Sequence, residues 1–254
     1  MQFAICDDPE KSLSPPELSV VLPTFNEREN IIELIEGIFE SLDGREFEIV
    51  VVDDGSPDGT AELCDQVALT RPNVRVIRRS NKNGLASAVI DGIIAADSEL
   101  VAVMDADMQH PHSTLPKLLQ MLNDGYDVAI GSRYVEGGAI EGWTLWRRSV
   151  SKGAIRIAHA LLPESRKVKD PMSGFFALKK SALNGIEFDL LGFKILLELL
   201  IKGDYGRIAE VPYAFASRHN GDSKLSWKEY VNFLRLIRKL RKCGAQFEAQ
   251  NREL

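Results

Sequence analysis

Between Leu18 and Tyr134 the chain alternates two hydrophobic periods. Short apolar runs rich in β-branched residues, LSVVLP (18–23), FEIVVVDDG (47–55), VRVIRR (74–79), ELVAVMDAD (99–107) and YDVAIGSRY (126–134), are separated by stretches with apolar residues at helical spacing. In the first such stretch Ile31, Ile32, Leu34, Ile35, Ile38, Phe39 and Leu42 fall on one side, with acidic residues between them, the pattern of an amphipathic helix. Further helices are expected through Ala61–Ala68, Gly84–Ala96 and Leu115–Asn123. Strands and helices alternating at these lengths predict an α/β domain with a mostly parallel sheet flanked by helices on both faces.

Ligands of such sheets collect at the carboxyl ends of the strands. Polar groups from five segments would meet there: Asn26 and Glu27 after the first strand, Asp53 and Asp54 at the end of the second, Asn81 to Gly84 after the third, Asp105 and Asp107 at the end of the fourth, and Arg133 after the fifth. If the fourth strand continues through Asp107, residues i and i+2 share a face and the two carboxylates stand roughly 7 Å apart at their Cα atoms. With Gln109 they form an all-oxygen set suited to a hard divalent cation, Mg²⁺ or Mn²⁺. An ion of this kind bridging a diphosphate would act as a Lewis acid on a leaving group. His110 and His112 flank Pro111 and read as surface residues rather than zinc ligands.

The earlier acidic run, DDGSPDG (53–59), is rich in turn formers, so Ser56 or Asp58 is expected to cap the next helix. No G-x-x-x-x-G-K-S/T or G-x-G-x-x-G sequence occurs, which argues against a P-loop ATPase or a dinucleotide oxidoreductase.

The net charge of −6 conceals an asymmetry. Residues 1–146 hold 10 Lys and Arg against 26 Asp and Glu, residues 147–242 hold 20 against 9, and the last twelve hold 1 against 2. The cationic half points to an anionic partner. Nucleic acid is set aside, because no base-stacking or helix-turn-helix pattern accompanies the charge. Three cysteines without metal-site spacing and an N-terminus unlike a signal peptide fit a reducing, cytoplasmic setting. The longest apolar runs, such as ILLELLI (195–201), fall short of the ~20 residues that span a bilayer, so the chain is expected to be soluble.

In order along the chain, LPTFNERENI, VVVDDGSPDGT, NGLASAVIDGI, MDADMQHP, IGSRY and DPMSGFF (170–176) resemble the successive motifs of the family 2 inverting glycosyltransferases, specifically the polyprenyl (dolichyl) phosphate mannose synthases. The resemblance runs from about Leu18 to Leu240. It implies a single nucleotide-sugar-binding domain of GT-A type and transfer of mannose from GDP-mannose to a polyprenyl phosphate with inversion, leaving GDP. It further implies that Pro23, Phe25, Glu27, Val52, Asp54 and Ala106 contact the nucleotide sugar, and that Asp105, Asp107 and Gln109 hold the metal. Phe25 stands where the family usually has Tyr, so a hydroxyl is lost there. By the same resemblance Arg133, Arg147, Ser151 and Arg218 take the acceptor phosphate, while Lys224 or Arg218 stabilises the departing diphosphate. A polyprenyl phosphate glucosyltransferase using UDP-glucose, or a silent nucleotide-sugar-binding subunit, are the alternatives.

A phosphate monoester is already ionised near neutral pH, its second pKa being about 6, so Asp105, Asp107 and Arg133 would catalyse by alignment and electrostatics, without a dedicated base. LWRRSVSKGAIRIAHALL (145–162) reads as a helix with Arg148, Lys152 and Arg156 at i, i+4 and i+8. The expected layout is a polar arm at 1–17, the catalytic domain at 18–225, a basic amphipathic helix at 226–242 and a polar tail at 243–254. The amphipathic helix would present Trp227, Tyr230, Val231, Leu234, Ile237 and Leu240 on one face. Such a helix suits an anionic lipid surface, placing the protein peripherally on the cytoplasmic face of a membrane, with a separate membrane subunit as a further candidate partner.

Overall fold

The computed structural model describes residues 15–80, 84–189, 194–217 and 227–250, the last with side chains for 231–243. Its first half follows the expected alternation: β1 (Leu18–Thr24), α1 (Ile31–Ser41), β2 (Phe47–Asp53), α2 (Thr60–Thr70), β3 (Val74–Arg78), α3 (Leu85–Ala95), β4 (Leu100–Val103), α4 (Leu115–Asn123) and β5 (Val128–Ser132). Then come β6 (Ala139–Ile140), α5 (Leu145–Leu161), β7 (Phe176–Lys179), α6 (Ile195–Lys202), β8 (Ile208–Pro212), β9 (Ala214–Phe215) and α7 (Trp227–Gln250).

Seven strands form one sheet in the order β3-β2-β1-β4-β7-β5-β8, all parallel except β7, which runs antiparallel to both β4 and β5. The separate pair β6 and β9 is parallel. The chain winds outward from β1 to β3, then returns to place β4 on the other side of β1. Loops after β1 and β4 therefore diverge at a topological switch point, where a crevice opens.

Every residue of β1 and β2 is buried, which is why both read as near-continuous apolar runs. Alternate residues serve opposite layers. Leu18, Val20, Leu22, Ile49 and Val51 join α1 and α4 in one core, while Val21, Val50 and Val52 join α3 and α6 in the other. Helix α3 comes very close to the sheet at Gly92, where a Cβ would sit 2.4 Å from Val21 Cγ1 and 3.0 Å from Val52 Cγ2.

Helix α7 spends its apolar face on the domain. Leu236, Ile237 and Leu240 are buried with Ile155, Ala158, Leu162, Met172 and Leu197 in a third cluster between α5 and α6. Of the face expected to meet a membrane, Ile237 and Leu240 are thus covered, while Leu234 is exposed. The helix also runs to Gln250, so the tail expected from residue 243 is helical for its first eight residues. Lys239 Nζ lies 2.9 Å from Asp189, which Lys202 also reaches at 3.1 Å. Burial pushes the Asp189 carboxyl up, yet these two ammonium groups hold it below the usual range.

Candidate active site

The two loops at the switch point carry the only non-glycine residues with left-handed backbone among those described, Asn26 (φ 56°) and Met108 (φ 61°). Sparsely populated conformations of this kind are held by their surroundings and gather at functional sites. Strand β4 ends at Val103, paired with Val21 on one side and Phe176 on the other. Asp105 and Asp107 thus sit beyond the last strand pair, in the bend, and not on an extended strand as expected. The Asp105 side chain is about one third exposed, whereas Asp107 and Gln109 are buried.

Each member of this set is oriented from behind. Asp107 Oδ1 accepts the backbone N–H of Gln109 at 3.2 Å. Gln109 donates its Nε2 to the Ala216 carbonyl at 3.0 Å, and the Ala216 N–H returns a 3.0 Å bond to the Gln109 carbonyl. With Nε2 committed, the amide presents Oε1 for ligation. A Cβ at Gly174 would lie 2.9 Å from Asp105 Oδ2, so only glycine lets the DPMSGFF loop pack against that carboxylate. Among the described residues no group of three or more His, Cys, Asp or Glu could hold a metal ion. Two carboxylates and one amide oxygen fit a hard divalent cation that takes its remaining ligands from a diphosphate.

The nucleotide-side residues are organised separately. Pro23 pairs with Val52 across β1 and β2, Val52 pairs with Ile77 of β3 on its other side, and the Val52 side chain is in the core beneath α3. Ala106 is buried in the other core layer, and Phe25 is half-buried in the β1 loop. Glu27 is buried and accepts from Asn30 Nδ2 at 3.0 Å, while its N–H donates to Thr60 Oγ1 at 3.1 Å. Asp53 closes its own loop by accepting from the Ser56 N–H at 2.8 Å and the Ser56 hydroxyl at 2.5 Å. Asp58, rather than Ser56, receives the first N–H of α2, at 3.0 Å. Asp54 forms a buried pair with Arg79 at 2.9 Å and accepts the Gly84 N–H at 2.9 Å.

At the other end, Arg133 is buried and its guanidinium forks onto Asp170, with Nε and Nη2 at 2.7 and 2.8 Å, while its N–H adds a bond at 3.1 Å. Burial opposes the Arg133 charge, but the Asp170 carboxylate more than compensates and keeps it cationic. The fork lies 5.4–5.6 Å from the rings of Tyr134, Trp143 and Phe215. The residue expected to take acceptor phosphate is thus first engaged in tying the end of β5 to the DPMSGFF loop. Helix α5 is capped by Thr144, whose hydroxyl accepts the Arg147 N–H at 3.2 Å. Arg147 stacks over Trp143 at 4.4 Å, and Ser151, one turn on, accepts the Tyr134 hydroxyl at 2.9 Å. Arg218 and Lys224 lie outside the described residues.

One set of contacts links the two ends. His110, expected at the surface, is only 3% exposed. Its ring packs at 5.2–5.5 Å on Phe175, Tyr213 and Phe215, and Phe215 packs on Trp143 at 5.4 Å. Asp105, His110, Phe215, Trp143 and Arg147 form a continuous chain of neighbours. Sequence reasoning does not reach Arg79, Asp170 or His110 as organising residues. A signal existed for Asp170 alone, as the charged opening of an otherwise apolar motif.

An open, mostly parallel sheet that presents an oxygen donor set at its switch point, with arginines beyond, is the build of a nucleotide-sugar transferase. The chain belongs to the family 2 glycosyltransferases: residues 19–186 match the family described as Glycosyl transferase family 2. It is 49% identical over 232 residues to a dolichol-phosphate mannosyltransferase of Pyrococcus furiosus, covering 91% of this chain and 66% of that one. A dolichol-phosphate mannosyltransferase of Saccharomyces cerevisiae is 39% identical over 236 residues, covering 88% and 86%. Among solved structures, glucosyl-3-phosphoglycerate synthase from Mycobacterium tuberculosis in complex with Mn²⁺, UDP-glucose and phosphoglyceric acid superposes with a TM-score of 0.62. It is 25% identical and covers 82% of this chain and 73% of that one.

Proposed function

We propose that this enzyme transfers mannose from GDP-mannose to a dolichyl or related polyprenyl phosphate with inversion, using Mg²⁺ or Mn²⁺. The sugar and acceptor are supported by the named activities of the relatives. The observation that carries a lipid-borne phosphate is α5. Its first two turns offer Arg147 and Ser151 at i and i+4, on one face of the helix, where the positive end of the helix dipole favours an anion. The same helix exposes Leu145 (82%), Trp146 (77%), Ile157 and Leu161 beside the exposed cations Arg148, Lys152 and Arg156. That mixture suits the interface of an anionic membrane. Among the described residues no helix is long and apolar enough to cross one. Association is therefore proposed as peripheral, on the cytoplasmic face, with α7 contributing its exposed cations and Leu234, and a separate membrane subunit remains a candidate partner.

In the reaction the β1 loop and the end of β2, with Pro23, Phe25, Glu27, Val52 and Asp54, receive the nucleotide. Asp105, Asp107 and Gln109 would hold the cation, which when bound would supply Lewis-acid stabilisation of the leaving diphosphate. Arg147 and Ser151 hold the acceptor phosphate, and Arg133, its charge met by Asp170, ties the end of β5 to the DPMSGFF loop and keeps that loop in register. The phosphate oxygen is already ionised near neutral pH, so the chain needs to align it with the anomeric carbon and need not remove a proton. Arg218 and Lys224 would complete the cationic set.

The test offers purified protein radiolabelled GDP-mannose or UDP-glucose together with dolichyl phosphate in detergent. Label should pass to lipid from GDP-mannose. Transfer from UDP-glucose alone would establish the glucosyl alternative, and no transfer from either donor would favour the silent binding subunit. Asp107→Ala should abolish turnover, whereas Arg147→Ala should chiefly raise KM for the lipid. Wild-type turnover by D107A in a chelator would refute the metal-assisted mechanism.

A further inference from the structure

His110 is the buried group that this mechanism leaves without a task. Nε2 lies 3.4 Å from Asp105 Oδ2, the long end of hydrogen-bond range. The other nitrogen, Nδ1, is buried and has no hydrogen-bond partner among the described residues. Three rings surround the imidazole: Phe175, Tyr213 and Phe215. Phenylalanine would fill such a box without burying a polar atom, so packing alone gives no reason for histidine here. A carboxylate oxygen accepts, so a hydrogen bond at this contact has His110 Nε2–H as its donor.

We propose that His110 is a positioning residue for the cation site: it donates from Nε2–H to Asp105 Oδ2 and fixes the carboxylate rotamer that presents Oδ1 for ligation. Gly174 closes the same Oδ2 side at 2.9 Å from a hypothetical Cβ, so the carboxylate is held between an N–H donor and a backbone that admits no side chain. Partners in this second layer around a metal set ligand orientation, and their loss typically weakens metal affinity by about 10–100-fold. The inference rests on the reading of Asp105 as a metal ligand.

The experiment compares His110→Phe, His110→Met and His110→Gln in the full chain. It measures the melting temperature without metal, Mn²⁺ binding in the presence of GDP by the EPR signal of free Mn²⁺, and steady-state kinetics. H110F should melt at or above wild type, because the orphaned nitrogen is gone, yet bind Mn²⁺ about 10–100-fold more weakly, with kcat reduced and KM for the lipid unchanged. H110Q, whose amide can place a donor near the Nε2 position, should recover most of the affinity, and H110M, of similar length without a donor, should not. Should H110F fail to fold, the Gln and Met pair decides. Wild-type Mn²⁺ affinity in H110F, or equal losses in H110Q and H110M, would overturn the proposal. Absence of Mn²⁺ binding by the wild type would instead remove the metal reading beneath it.

Discussion

Asp170→Asn removes one charge from a buried pair and keeps the shape of the side chain. In the structure Asp170 is fully buried and Arg133 nearly so, with 0% and 8% of their side chains exposed. The two share a fork at 2.7 and 2.8 Å and a backbone bond at 3.1 Å. Asparagine can satisfy one arm of the guanidinium through its carbonyl oxygen, but it turns an NH₂ toward the other and leaves the positive charge without a counterion. Breaking a buried pair from one side costs about 3–5 kcal/mol, a large share of the roughly 5–15 kcal/mol that holds a domain together. For a chain of this size each kcal/mol lowers the melting temperature by about 2–4 °C, so a drop of roughly 6–20 °C is expected. Urea unfolding followed by tryptophan fluorescence and circular dichroism gives the free energy directly. The double variant Arg133→Met with Asp170→Leu exchanges the pair for apolar groups in a pocket already walled by Tyr134, Trp143 and Phe215. It should be more stable than D170N alone, as replacing both partners avoids the stranded charge. A D170N loss below about 1 kcal/mol with an unchanged m-value would mean that Arg133 is solvated and not engaged as described.

Gly92→Ala should destabilise by about 1–3 kcal/mol despite the gain in helix propensity, because its methyl must displace Val21 and Val52 from the α3 interface; an equal or higher melting temperature would refute the close approach. Cys64 lies on the buried face of α2, and burial pushes its thiol up to about 12. Its thiolate is then scarce at pH 8, and alkylation followed by peptide mass spectrometry should mark Cys64 only on unfolding. Since the folded pKa lies above the ordinary value, the thiol favours the folded state below pH 9 and that contribution is lost as pH rises toward about 12. C64A should flatten the alkaline limb of the stability profile.

The first five strands, four helices and their order were legible because hydrophobic period is a local property of the chain. Continuous apolar runs such as VVLP and IVVV declared strands buried on both faces, and the strand-end carboxylates announced which edge would carry the chemistry. Antiparallel β7 was not legible: FALK looks like any short apolar run, and its direction appears only in its pairing with β4 and β5, strands distant in the chain. The site divided along the same line. Asp105, Asp107 and Gln109 could be proposed as a set from their spacing, since one contiguous loop carries all three. Arg133 and Asp170 are 37 residues apart, and Asp54 and Arg79 are 25 apart, and no periodicity joins them. The sequence alone determined which oxygens and arginines are available to a cation and a phosphate. Only the tertiary structure decided which charges neutralise one another inside the protein and which histidine goes inward, because desolvation acts on groups brought together by distant segments of the chain.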